Sequence, residues 1–183
     1  MSEPRSILFA TTNQGKAKEL RRLLPHYQVF TLADLPERLP EVEENAESFA
    51  GNAELKARAA AAATGMLTLA DDSGLEVDAL NGAPGVRSAR YAPGSDTDRN
   101  QALLTAIAAL PPLTSRRARF RCVLALIDPR SMQSAEKKAP CTFADGCLEG
   151  EIAHSPRGEG GFGYDPIFLL PDGRHLAEIS AEE

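Results

Sequence analysis

The chain has 183 residues, the length of one ordinary domain or of two small lobes, and a core that size needs no disulfide or structural metal. Twenty basic and 26 acidic side chains leave a net charge of −6, so there is no basic field for a non-specific nucleic-acid coat. No run of about 18 apolar residues is present for a membrane span, and the start, MSEPRSILFATTNQG, lacks the apolar core of a signal peptide. Cys122, Cys141 and Cys147 cannot all pair and form no CxxC, so they read as reduced thiols of a cytoplasmic protein. Trp is absent and aromatics are 5%, which argues against an extended base-stacking platform.

In chain order, Ile7 to Ala10 reads as a first buried strand and Gln14 to Leu24 as a helix stopped by Pro25. Val29 to Leu32 is a short second strand, and residues 33 to 45 form a loop rich in Pro and Glu. Ala46 to Thr64 is the longest helical pattern, with Gly65 where a helix C-cap prefers glycine. Met66 to Ala70 is a buried strand that ends at Asp71-Asp72-Ser73-Gly74. Thr97 to Leu110 is a helix stopped by Pro111-Pro112. Arg117 to Asp128 and Thr142 to Ala153 read as long strands around the polar stretch 129 to 140, and Pro166 to Leu170 as a final strand. Apolar runs alternating with helices predict an α/β fold, and the long strands predict a mixed sheet rather than a parallel one.

Four segments could carry chemistry. Thr11-Thr12-Asn13-Gln14-Gly15-Lys16 sits at a strand-to-helix junction, where free backbone N–H groups, the helix dipole and a lysine suit an anionic phosphate chain. It is not a Walker loop, because Ala17 and Ala10 replace the required Ser/Thr and first Gly. An Asn/Gly turn with a solvated lysine is the plain alternative. Asp71-Asp72-Ser73-Gly74 pairs two carboxylates that repel unless a cation or base chemistry offsets them. Such acids suit Mg²⁺, which takes few protein carboxylates and bridges phosphates, or the activation of an attacking water. The alternative is an Asx turn with exposed acids.

Glu43 and Glu44 could add a carboxylate to the same cation, or simply stabilise the N-terminus of the next helix. On that helix Arg58 reads as solvated, while Lys56 is left open between a solvated and a functional role. Gly158 to Pro166 contains G-x-G-x-x-G, yet no buried strand leads in and no helix follows, so it is not a dinucleotide fingerprint. Phe162, Gly163, Tyr164 and Asp165 instead suit a flat ligand, with a ring to stack on and a carboxylate for base or ribose. Arg117, Arg119 and Arg121 alternate along one strand face, more in keeping with solvent or an interface than with a phosphate clamp. His26, His154 and His175 have no metal-ligand spacing and read as surface residues, and Ser73 has no His partner for a nucleophilic triad.

The stretches ILFATTNQGKAKEL, FAGNAELKARAAA, LADDSGLEVDALNGAPGVRSARY and GGFGYDPIF, in this order, resemble the inosine triphosphate pyrophosphatase family. The resemblance runs from residue 5 to about 179, and its T-x-N-x-x-K, DDSGL and GGFGYDP motifs are jointly specific. It implies an elongated α/β protein with a mixed sheet and flanking helices, built as a single domain of two lobes around a substrate cleft, usually a homodimer. It implies Mg²⁺-dependent hydrolysis of ITP, dITP and XTP to the nucleoside monophosphate and pyrophosphate. By that likeness Thr11 through Lys16 hold the triphosphate and Lys56 approaches it. Asp72 is the general base and a metal contact, with Ser73 beside the substrate. Glu43 or Glu44 is the second metal contact, and Phe162 to Asp165 cover the base. The family continues with a lysine and a Ser-His-Arg triplet that this sequence lacks, so a C-terminal tail is expected to be missing after the helix-starting pattern Ser180-Ala181-Glu182-Glu183. Two other readings stand beside this one: a nucleotide-binding module without turnover, and a pyrophosphatase for pyrimidine or methylated nucleotides.

Overall fold

The computed structural model describes residues 5–131 and 139–180. Six strands and three α-helices follow in the order β1 (Arg5–Phe9), α1 (Gln14–Leu23), β2 (Tyr27–Thr31), α2 (Phe49–Thr64), β3 (Thr68–Val77), α3 (Asp96–Ala108), β4 (Arg117–Ile127), β5 (Cys141–Ile152) and β6 (Phe168–Leu169). The sheet order is β2-β1-β3-β4-β5-β6. β1 is parallel to both β2 and β3, while β6 is antiparallel to β5, so the sheet is mixed as expected.

The chain divides into two compact units. The first holds residues 1–72 and 123–145, the second 73–122 and 146–183, and β3, β4 and β5 each contribute to both. The first unit is layered by the period of two along its strands. Ile7, Phe9 and Leu69 cluster with Leu20 of α1. Leu8, Ala10 and Ala70 cluster instead with Ala53, Ala57, Ala60 and Ala61 of α2. Those alanines recur at helical spacing, and their small side chains let the α2 backbone lie close to the sheet. Ser48 caps α2, its Oγ accepting the Gly51 N–H at 3.1 Å, and Gly65 ends it at φ 66°. That start falls three residues after the expected one, because Ala46 donates its N–H to Asn52 from outside the helix.

In the second unit α3 packs Leu103 and Ile107 on Leu75 and Val77 of β3, Ala118 of β4 and Ile152 of β5. Ser95 and Asp98 form the capping box that starts the helix. The Ile152 N–H donates to the Arg116 carbonyl at 2.8 Å and ties β5 to the entrance of β4.

Several expectations are corrected. β3 does not stop at Ala70: the acids that were expected to end the strand lie within it, and it runs on to Val77. The stretch Pro166 to Leu170 is not one strand but a 3-10 turn, Asp165–Ile167, followed by the two residues of β6. The prolyl nitrogen of Pro166, which cannot join a strand ladder, sits at the start of that turn. His175 is no surface residue: it is buried, and its Nδ1–H donates to the Pro166 carbonyl at 2.7 Å. Much of the polar stretch expected at 129 to 140 and the tail at 181–183 lie outside the described residues.

The α2 packing makes a stability prediction. Ala57 is fully buried on the sheet side of the helix and Ala62 is exposed. Ala57→Leu overpacks the layer at a cost of about 1–3 kcal/mol. Calorimetry should show a fall in Tm of roughly 2–4 °C for each kcal/mol, with Ala62→Leu close to the parent.

Candidate active site

The T-x-N-x-x-K segment carries the chain from β1 into α1. Its own side chains shape the turn. Thr11 Oγ1 accepts the Asn13 N–H at 3.1 Å, and Asn13 Oδ1 accepts the Lys16 N–H at 3.2 Å as the helix N-cap. Thr12, Gln14 and Gly15 are exposed, and the first turn holds no acid. The junction therefore presents a positive helix end to solvent with no carboxylate of its own to quench it.

The two acids of β3 resolve in opposite directions. Leu69 belongs to the α1 side of the sheet and Ala70 to the α2 side, so continuing the alternation sends Asp71 toward α1 and Asp72 toward α2. Asp71, 4% exposed, forms a short ion pair with Lys16 Nζ from the first turn of α1. Asp72, 7% exposed, accepts the Asn52 Nδ2 hydrogen bond at 3.0 Å and lies 3.7 Å from Lys56 Nζ, both from α2. Lys56 also pairs with Glu44 at 2.9 Å, whereas Glu43 is exposed. Lys56, which the residue pattern left open, is thus held between two carboxylates. Arg58 is not solvated either: it donates to the Ala139 carbonyl at 2.9 Å and pairs with Glu54 at 2.6 Å.

Asn52 is the residue that pattern reading missed. It is fully buried, and both ends of its amide are used, Nδ2 by Asp72 and Oδ1 by the Ala46 N–H at 3.0 Å. The signal was available: Phe49, Asn52, Ala53, Ala57 and Ala60 form one buried helical stripe, and a lone amide on such a stripe must have a polar partner.

In the second unit the loop from Gly158 to Asp165 separates its two rings. Phe162 is 40% exposed, while Tyr164 is buried in the core and donates its hydroxyl to the Ser88 carbonyl at 2.9 Å. Burial pushes the Tyr164 phenol up to about 12. Phe162 is therefore the exposed ring of the pair, and Tyr164 anchors the loop from beneath. Asp165 accepts the Phe162 N–H at 2.9 Å and folds the loop on itself. Gly163 takes φ 62°, a region where L side chains are strained, which accounts for glycine between the two aromatics.

The sequence pattern of the Ham1 family matches residues 7–183. The chain belongs to the Ham1 family. A dITP/XTP pyrophosphatase of Symbiobacterium thermophilum is 48% identical over 183 residues, covering all of this chain and 87% of the relative. One from Listeria monocytogenes is 46% identical over 97% of this chain and 85% of its own length. Among solved structures, a HAM1 protein from Coxiella burnetii matches 97% of this chain and 88% of its own at TM-score 0.84 and 39% identity. The Staphylococcus aureus Ham1 protein matches the same shares at 0.79 and 40%. The mixed α/β sheet of this chain is the Ham1 fold.

Within this Ham1 chain the Asn52–Asp72 bond is open to a direct test. Asn52→Ala removes one partner of a buried carboxylate and the acceptor of the Ala46 N–H. Losing such a buried contact costs about 1–3 kcal/mol. Thermal melting should register that loss, and turnover should fall further than the population of unfolded chain explains. Asn52→Ser, which keeps a short donor, should recover part of the turnover.

Proposed function

We propose that this chain hydrolyses ITP, dITP and XTP to the nucleoside monophosphate and pyrophosphate, and so removes them from the nucleotide pool. The observation that carries the reading is the pairing of Asp71 with Lys16 and of Asp72 with Lys56 through one strand. Its support is near-half identity to relatives named dITP/XTP pyrophosphatase over the full chain. A binding module without turnover has no use for two buried acids on lysines that it could replace with neutral groups.

Each part then has a role. Thr11, Thr12, Asn13, Gln14 and Gly15 offer backbone and side-chain donors to the triphosphate, and Lys16 and Lys56 supply full charges to it. Asp72 takes a proton from the attacking water as its oxygen bonds to the α-phosphorus. The bond from that phosphorus to the α–β bridging oxygen breaks, and pyrophosphate leaves with the electron pair. Asn52 holds the Asp72 carboxylate for that transfer. Ser73 follows Asp72 on β3 and lies beside the substrate. Phe162, Gly163, Tyr164 and Asp165 belong to the loop that covers the base.

Among the described residues no group of three or more His, Cys, Asp or Glu side chains forms a ready metal cage. A pair of carboxylates, Glu44 and Asp72, fits Mg²⁺, which needs few protein ligands and completes its shell with water and phosphate oxygens. Glu44 is favoured over Glu43 because it already meets the same lysine as Asp72. Bound there, Mg²⁺ would neutralise charge that develops on the phosphates. The protein is proposed to act as a homodimer in the cytoplasm. Unpaired Cys122, Cys141 and Cys147 fit a reducing compartment, and no helix among the described residues is long and apolar enough to cross a membrane.

Product analysis tests the chemistry: ITP with Mg²⁺ should yield IMP and pyrophosphate in equal amounts, and IDP with orthophosphate would contradict it. Asp72→Asn should lower kcat by about 10²–10⁴-fold, the usual loss of a general base. Asp71→Asn should act mainly on KM, because the residue touches Lys16 rather than the water. An Asp72→Asn enzyme within a few-fold of the parent would remove Asp72 from proton transfer.

Lys16→Ala should weaken every nucleoside triphosphate alike, by roughly 1.5–3 kcal/mol for one charge-assisted contact. It should also lower Tm, since it takes from buried Asp71 the ammonium it meets. A changed base preference at unchanged affinity would overturn the phosphate role of Lys16.

A further inference from the structure

The proposed reading places the base under the loop around Phe162, but it does not say what fixes that loop. Within the second unit, both backbone groups of Gly163 are held by side chains of α3. The Gly163 N–H donates to Asp96 Oδ2 at 2.8 Å. The Gly163 carbonyl accepts from Asn100 Nδ2 at 3.1 Å. Residues 96 and 100 are one helical turn apart and share a face, so the two side chains grip one residue, through the peptides on both of its sides, from a single rigid support.

Each half of the grip is itself held. Asp96 gives its other oxygen to Arg99 in a short ion pair, and Arg99 reaches back to the Gly94 carbonyl at 2.9 Å. The Arg99 hydrogen bond, followed by that from Gly163, keeps the Asp96 carboxyl below its usual range, so it stays an acceptor at neutral pH. Asn100 is 6% exposed, and its Oδ1 is buried with no hydrogen-bond donor among the described residues. A buried amide that satisfies only its nitrogen is a poor device for stability, and an apolar side chain would pack there without an unpaired oxygen. What this amide delivers is a fixed position for the Gly163 carbonyl. The neighbours on either side of Gly163 are Phe162, the exposed ring, and Tyr164, the buried anchor. Fixing the residue between them, by the peptides on both its sides, fixes how far and at what angle the Phe162 ring projects.

We propose that Asn100 and Asp96 are specificity-determining positioning residues: they set the two peptides that flank the Gly163 Cα and, through them, the Phe162 ring against the purine of the nucleoside triphosphate. They touch neither the phosphates nor the reacting atoms. This inference rests on the proposed role of the loop as the base cover.

The test separates base from phosphate. Asn100→Asp keeps size but turns an acceptor toward the Gly163 carbonyl. It is compared with the parent on ITP, XTP, GTP and ATP by kcat and KM, and on the inhibition constant of inorganic tripolyphosphate, which has no base. The expected result is a rise in KM for ITP and XTP and at least a tenfold fall in their preference over ATP. The tripolyphosphate constant should stay within about twofold, because removing one positioning contact acts only through the loop. Asp96→Ala should do the same, and Asp96→Asn, which keeps an acceptor oxygen, should recover most of the preference. If Asn100→Asp does not fold, Gly163→Ala supplies the reading. Its added Cβ meets no atom within 4 Å, so it acts on the loop backbone alone and should lower the preference likewise.

An unchanged preference in Asn100→Asp, or a loss shared equally by tripolyphosphate, overturns the inference. Phe162→Ala distinguishes the two levels. If it lowers the preference while Asn100→Asp does not, the grip is only structural; if Phe162→Ala leaves the preference intact, the base-cover reading falls, and this inference with it.

Discussion

The structure of the first unit turns on the period of two along β3. A strand cannot present neighbouring side chains to the same face. With α1 on one side of the sheet and α2 on the other, Asp71 and Asp72 are delivered to different helices by geometry alone. Lys16 and Lys56 are the helical residues that receive them. A slip of one residue in β3 would exchange the two acids and strand each from its lysine, while also turning Leu69 and Ala70 onto the wrong layers. The apolar register that builds the core therefore also enforces the chemical register of the site.

That arrangement answers the repulsion which the adjacent carboxylates pose on paper. Burying a carboxylate is costly unless it is paired and hydrogen-bonded. Here each acid has a resident ammonium, and Asp72 has an amide as well. On the proposed function, the lysines that meet the phosphates are already paired with protein carboxylates. A triphosphate that engages them competes with Asp71 and Asp72, and those acids must then find another cation. On the proposed function this is a physical reason for nucleotide and divalent metal to favour one another's binding, because each relieves the charge the other exposes.

Most of the fold was legible because its elements carry their own signals. Pro25, Gly65 and the Pro111-Pro112 pair mark helix ends, and the structure ends the three helices at or shortly before them. The alternation of apolar runs with helices gave the mixed α/β sheet. What failed was local. The DDSG segment reads as the end of a strand, with a turn as the alternative, yet it is mid-strand, since lysines from two helices make buried aspartates tolerable there. Lys56 stayed open because its partner Glu44 lies outside any periodic element, and Arg58 read as solvated because the Ala139 carbonyl is remote, although Glu54, one turn before it on α2, was a legible partner. Tyr164 and Phe162 are indistinguishable as aromatics in a glycine loop, and only the hydroxyl bond to Ser88 tells the anchor from the exposed ring. Tertiary partners decided each of these, and a single sequence does not display them.

The loop of the second unit shows the opposite strategy to β3. Its backbone runs outside any long ladder, so no repeated hydrogen-bond pattern can set its position. Its peptides are instead satisfied one at a time, some by single backbone bonds such as that from the Gly160 N–H to the Ala177 carbonyl, and those around its exposed ring by side chains: Asp165 for Phe162, and Asp96 and Asn100 for Gly163. Satisfaction by side chains costs ordering entropy at each contact, but it leaves the loop backbone free of sheet geometry. A loop so held can take the left-handed turn at Gly163 that an extended strand forbids, with one ring turned inward and the next outward. The strand fixes charges to a rigid register, whereas the loop fixes the placing of a ring, and each kind of backbone suits its task.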